Sequence, residues 1–236
     1  MTGRESSAPA ESRILIWTLV TSHNQTATTV MMKVSATLAF LCFASALVSP
    51  MSGAVVPDER DHLVLESLLL HLLADSEFDM TRAPTNQKSI VLHTRTPEKT
   101  GFLMSHQIRS DIRGRTLPSD AEADLRTRNT PSNAKPETYD SVMASYTNLT
   151  FQPIIVLADL TEIRKEGRRR AAAFEKAYPQ AKGWLDSYLP GYSRDGTRAV
   201  VRAGVGPSAH GAMLTAVLEK TGDKWLVKWY QISRYA

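Results

Sequence analysis

The sequence predicts an α+β domain, with helices packed on an antiparallel sheet built mainly from a C-terminal β-meander over about residues 183–234. Three observations carry that expectation. The last third of the chain alternates apolar and polar residues in short runs, punctuated by Asp195-Gly196, Gly206-Pro207 and Thr221-Gly222-Asp223, which is hairpin turn chemistry. A leucine-rich stretch over about residues 59–74 carries a broad apolar face at helical spacing. The stretch from Asp159 to Tyr178 repeats that spacing more sparsely and stops at Pro179.

The chain begins with a polar, Ser- and Thr-rich segment, residues 1–30, read as a disordered leader or as sequence upstream of a true start at Met31 or Met32. Residues 31–54 place Lys33 before an apolar run from Val34 to Val48, with small residues at Ala44 and Ala46 and again at Ser52 and Ala54. That is the layout of a secretory signal peptide, cleaved after Ala46 or Ala54 or retained as an anchor, and it predicts a periplasmic or extracellular protein. Cys42, the one cysteine, lies inside the signal, so the exported part forms no disulfide and has no thiolate nucleophile or thiolate metal ligand. A net charge of +4 calls for no nucleic-acid partner. Membrane contact is expected only through the signal segment if it stays uncleaved.

Residues 57–236 are expected to form one domain. Pro57, Asp58, Glu59 and Asp61 suit a helix start, because acids are favoured at the positive end of the helix dipole. Leu63, Ser67, Leu70 and Ala74, with Leu65, Leu69, Leu72 and Leu73 beside them, are expected on its buried face. Lys88–Thr94 reads as a strand. Residues 118–136 hold one large aliphatic residue, Leu125, and read as a mobile surface excursion that buries too little to offset its ordering entropy. Pro153–Leu157 is extended. Asp159 and Glu162 then form a capping-box pattern for a helix to Tyr178 that Gly167 divides.

In the meander, Thr197–Val205 places Ala199, Val201, Ala203 and Val205 on one face, with Arg198 and Arg202 on a face expected to be wet. Ala212–Glu219 follows. Lys224–Ser233 sets Trp225, Val227 and Trp229 against Leu226, Tyr230 and Ile232, apolar on both sides, as in a central or helix-covered strand.

Chemistry-bearing patterns are sparse. A Walker loop, a dinucleotide glycine fingerprint, an EF-hand loop and a His-Glu-x-x-His pair are all missing, so no cofactor and no metal are implied. Glu59, His62 and Glu66 share one helix face, where such residues are usually solvated. Arg164, Lys165, Arg168, Arg169 and Arg170 form the densest charge run. On one helix Arg164 and Arg168, four apart, would make a positive stripe for phosphate or an acidic partner, with a solvated face as the plainer alternative. Tyr192, Trp225, Trp229 and Tyr230 either line a pocket between sheet and helix or fill the core. Ser208 and His210 lack nucleophile-elbow spacing, and a structural turn accounts for them equally.

Three segments, Phe174–Gly183, Gly191–Val200 and Leu218–Val227, carry a helix ending in Tyr-Pro, then Gly-Tyr-Ser-x-x-Gly-Thr-x-Ala, then Leu-x-Lys-x-x-x-x-Trp-x-Val. In these the chain resembles a group of exported bacterial α+β domains to which no activity is attached, over about its last 80 residues. Similar endings occur in cystatin-like and nuclear-transport-factor-like domains. The resemblance implies bacterial export and the α+β layout.

Two functions follow as expectations. One is an exported, non-enzymatic binding or accessory protein for a protein or small-molecule ligand, with Arg164, Arg168, Arg169, Tyr192 and Trp229 as binding candidates. The alternative is a hydrolase or isomerase with His210 as acid/base, Ser208 nearby, and Asp195 or Asp186 brought to it by folding.

Overall fold

A computed structural model describes residues 55–78, 80, 88–132, 140–207 and 211–234. The chain divides into two compact units, Met1–Val48 and Ser49–Ala236, and every described residue lies in the second. The leader, the signal segment, Ser208 and His210 therefore fall outside the described residues.

The architecture is α+β around one seven-stranded sheet. Helix α1 spans Glu59–Ala74, the bounds expected, and is opened by a reciprocal cap. Asp58 accepts from the Asp61 N–H at 2.9 Å, and Asp61 accepts from the Asp58 N–H at 3.0 Å. Strand β1 (Ser89–His93) follows, then a 3-10 turn at Gly101–Leu103 and helices α2 (Ser105–Ile112) and α3 (Ser119–Asn129). Strand β2 (Ile155–Ala158) leads into α4 (Thr161–Lys165), a second 3-10 turn at Gly167–Arg169, and α5 (Arg170–Ala177). Strands β3 (Ala181–Ser187), β4 (Gly191–Tyr192), β5 (Arg198–Gly206), β6 (Ala212–Thr221) and β7 (Lys224–Arg234) complete the sheet.

Sheet order is β2-β1-β3-β5-β6-β7, with β4 paired to β5. Strands β5, β6 and β7 are the antiparallel meander, whereas β1 runs parallel to both β2 and β3. The sheet is thus mostly antiparallel with a parallel portion, and the α4–α5 connection carries the chain from β2 across β1 to β3, as parallel pairing requires.

Alternation sends Ile90, Leu92, Leu185, Ala199, Val201, Ala203, Leu214 and Leu218 to one face, against Val64, Leu65, Leu68, Leu69 and Leu72 of α1. The expected α1 stripe is partly out of phase: Leu65, Leu69 and Leu72 are buried as expected, but Leu63 is exposed, and Val64 and Leu68 are buried in its place. Leucines at almost every position hid the phase. The opposite face is wet at Arg198, as expected, but covered beyond it. Leu103, Ile108, Ile112, Ala121 and Leu125 cover Tyr188, Val200, Met213 and Val217, and Leu160 and Phe174 cover Val91 and Trp184. Arg202 is fully buried there.

Residues 118–132 are not an excursion. Helix α3 occupies Ser119–Asn129 and buries Ala121, Leu125 and Asn129. Hydrogen bonds compensate for its shortage of aliphatic surface: Asn129 Nδ2 donates to Leu189 O at 2.8 Å, its Oδ1 accepts from Leu189 N at 2.9 Å, and Asp124 accepts from Tyr192 N at 2.8 Å. The backbones approach so closely that a Cβ on Gly191 would lie 2.3 Å from Ala121 O, so only glycine fits.

Strand β7 is an edge strand rather than a central one, and helices cover it, the other arrangement its two apolar faces allow. Val217 pairs with Trp229 but Leu218 with Val227, so Lys228 is an extra residue in a bulge. The bulge inverts the expected faces beyond it. Trp225, Val227, Tyr230 and Ile232 all pack towards α1, and Trp229 packs alone on the other side.

Candidate functional site

Three carboxylates are buried on or beside the sheet, and their surroundings differ. Asp61 of α1 is met by Arg128 of α3 through two hydrogen bonds, at 2.7 and 2.9 Å, and by the Tyr192 hydroxyl at 2.8 Å. Asp111 of α2 is paired with Arg202, which also donates to the Thr215 hydroxyl and, at 3.1 Å, to Phe102 O. Both are enclosed structural pairs whose hydrogen-bonding capacity is used.

Asp186, on β3, is different. It is 7 % exposed, and its Oδ1 accepts no hydrogen bond. Arg164 Nη1 stands 3.5 Å from that oxygen, within ionic contact. Burial pushes the Asp186 carboxyl above its ordinary value, with the Arg164 charge, the His93 ring and the Trp184 indole pulling the other way. Such an oxygen requires explanation, because an unsatisfied buried acceptor costs about 1–3 kcal/mol.

The explanation lies in the packing. On the helix-covered face, the α2–α3 cluster and the α4–α5 cluster are separate, and Met213 of the first and Trp184 of the second border a cavity of about 240 Å³ between them. Register builds its floor: Trp184 and Asp186 of β3 lie opposite Gly206 and Gly204 of β5, and Gly204 lies opposite Met213 of β6. Gly204 leaves the space open above Asp186, since a Cβ there would stand 3.6 Å from Asp186 Cβ. Phe102, Arg164 and Arg170 supply the walls, and Val205, Gly211 and Ala212 complete the lining.

Arg164 also borders a second cavity of about 180 Å³, beside His93, Arg95, Glu98 and Thr161. The register setting Leu92 opposite Leu185 brings the next residues, His93 and Asp186, to neighbouring positions at the C-terminal ends of two parallel strands. His93 Nδ1 is 3.0 Å from Leu160 N and 3.1 Å from Ala158 O, which fixes the ring to the end of β2.

The candidates from sequence are dispersed. Arg164 reaches the cavity, but Arg168 and Arg169 do not share a continuous helix with it. Gly167 adopts φ +55°, so the run divides into α4, a 3-10 turn and α5, and the expected stripe is broken. Lys165 pairs with Glu162 at 2.6 Å. The capping box at Asp159 and Glu162 is not formed: Leu160 occupies the cap position, and Asp159 instead accepts from Thr161 N at 2.9 Å.

Tyr192 is buried in the Asp61 network, with the Arg60 guanidinium 3.7 Å over its ring. Trp229 lies on the opposite face of the sheet from Tyr192 and Trp225, so these aromatics do not line one pocket. Asp195 is a turn residue, accepting from Ser193 Oγ at 2.5 Å, Thr197 N at 3.0 Å and Thr197 Oγ1 at 2.8 Å, and those bonds hold its carboxyl down to about 2. His62 lies 3.9 Å from Glu66 and packs edge-on against Phe151. Among the described residues no group of three His, Cys, Asp or Glu side chains is placed to hold a metal ion.

In the sequence Asp186 stands out only as an acid that folding could bring to His210. The signal that distinguishes Asp186 is a carboxylate in a strand between Trp184-Leu185 and Tyr188-Leu189, which local pattern alone does not tell from a solvated position. Compared with models of protein families, with curated proteins and with solved structures, the chain has no match.

Proposed function

We propose that this chain is an exported binding protein, and that its recognition site is the cavity over Asp186. One observation supports the reading above the rest: a buried carboxylate with one oxygen that accepts no hydrogen bond borders a cavity of about 240 Å³. The remaining lining suits recognition, with guanidinium groups at Arg164 and Arg170 and apolar surface at Phe102, Trp184 and Met213. The signal-peptide pattern of residues 31–54 and a cysteine-free exported part support the location.

A second reading, hydrolase or isomerase chemistry with His210 as acid/base, draws on one feature. Gly211, the residue after His210, lines the same cavity as Asp186.

The test is native mass spectrometry of the protein recovered from the cell exterior. The expected species begins after Ala46 or Ala54 and releases a small molecule on denaturation, and Gly204→Leu, which fills the cavity, lacks that molecule. Wild-type protein that carries no ligand and binds none from a metabolite mixture would end the binding reading. Turnover abolished by His210→Ala would favour the second.

A further inference from the structure

We propose that the ligand of the Asp186 cavity is a small 2-amino or 2-hydroxy carboxylate with an apolar side chain. This deepens the binding reading above and rests on it.

The inference follows from the two charged poles of the site. Asp186 borders the cavity, and one of its carboxylate oxygens, Oδ1, accepts no hydrogen bond, so an N–H or O–H on a bound molecule complements the carboxylate. Arg164 Nη1 stands 3.5 Å from that oxygen, and a guanidinium carries five donors, so one ionic contact leaves most of its capacity for a second anion. A ligand that serves both poles at once must hold a donor and an anionic group on neighbouring atoms, because the poles are 3.5 Å apart. A carboxylate beside an amine or hydroxyl-bearing carbon has that spacing. Its planar oxygens also suit the guanidinium fork.

The apolar remainder is indicated by the walls. Trp184, Met213 and Phe102, the last 42 % exposed, line the cavity, and Gly204 adds no side chain to it. A volume of about 240 Å³ is below the roughly 300–1,000 Å³ of sites for drug-sized molecules, which limits the ligand to one amino acid or its hydroxy analogue. A free cation fits poorly, since the lining carries two guanidinium groups against one carboxylate.

Four probes sharing an isobutyl side chain separate the requirements: leucine, 2-hydroxy-4-methylpentanoate, 4-methylpentanoate and 3-methylbutylamine, each titrated calorimetrically into the exported form at neutral pH. The first two are expected to bind at least tenfold more tightly than the last two. Asp186→Asn should remove that advantage and leave the weak carboxylate binding unchanged, whereas Arg164→Gln should weaken every carboxylate probe and spare the amine. Asp186→Asn removes a buried charge and is expected to fold, and far-ultraviolet circular dichroism checks that it does.

If 4-methylpentanoate matches leucine, the two-pole requirement is overturned and the binding site stands. If no probe binds while the protein carries a co-purified molecule of other chemistry, the ligand class is overturned and the site again stands. If no probe binds and nothing co-purifies, both readings fall. Binding that Gly204→Leu leaves intact lies elsewhere and also overturns the proposal.

Discussion

The surroundings of Asp111 and of Asp186 lie on the same face of one sheet, yet they are built on opposite terms. Around Asp111, a fully buried Arg202 places its donors on a carboxylate, a hydroxyl and a carbonyl, under a helix that closes over them. Around Asp186, the paired cation is a half-exposed Arg164, and one oxygen of a carboxylate that borders a cavity accepts no hydrogen bond. The difference teaches where to look for function in a chain without a recognisable motif. Burial of charge alone does not mark a site, because matched pairs fix architecture. Burial of charge left incomplete beside a cavity does.

That contrast predicts opposite responses to removing charge. The largest effect belongs to the matched pair: Arg202→Ala should cost about 3–5 kcal/mol in urea unfolding, because Asp111 would then be a lone buried anion. Replacing both, as Arg202→Met with Asp111→Leu, should restore most of the loss, and a double variant as unstable as the single one would break the comparison. Next is Arg128→Ala, expected to cost about 2–3 kcal/mol by leaving the Asp61 carboxylate with only Tyr192 and the Asp58 N–H.

Asp186→Asn should go the other way and stabilise the protein by about 1 kcal/mol at neutral pH. The folded-state carboxyl is raised above 3.8, so the folded protein binds the proton more tightly than the unfolded chain does. Wild-type stability therefore falls as pH rises from about 3.8 through the raised value. The advantage of the Asn variant should vanish towards pH 3.8 in a series of thermal melts, and a constant advantage would refute the assignment.

Asp195 gives the mirror image at a smaller scale. Its carboxyl is held down to about 2, so whatever it contributes to the Ser193–Thr197 turn is present above pH 3.8 and lost as pH falls towards 2. The deficit of Asp195→Ala should fade over that interval. Gly204→Ala is expected to be smallest, within about 0.5 kcal/mol, since the added carbon meets ordinary contacts only.

How much of this was legible beforehand varies by element. Helix α1 and the hairpin turns at Gly196 and Gly222 could be read because capping acids and positive-φ glycines are local devices. The division of the Arg164–Arg170 run at Gly167 was equally local. Faces were read less well. Alternation puts Arg202 on a face that reads as wet, and only α2, whose Asp111 is 91 residues away in sequence, supplies the carboxylate that permits its burial. The phase of β7 depended on a single inserted residue, Lys228, that alternation cannot announce. Helix α3 was missed because its stability comes from Asn129 and Asp124 bonding to distant backbone rather than from an apolar stripe. The Asp186 cavity was illegible for the same reason at larger scale, since it is a gap between two clusters, and gaps belong to tertiary structure.

Strand β1 lies inside the sheet, yet both of its neighbours are translated long after it, as the pairs Ile90↔Ile155 and Val91↔Trp184 record. A ribosome must therefore have produced most of the polypeptide before that strand can find either companion. Only with β3 and the meander in hand does the sheet have every neighbour it needs to close.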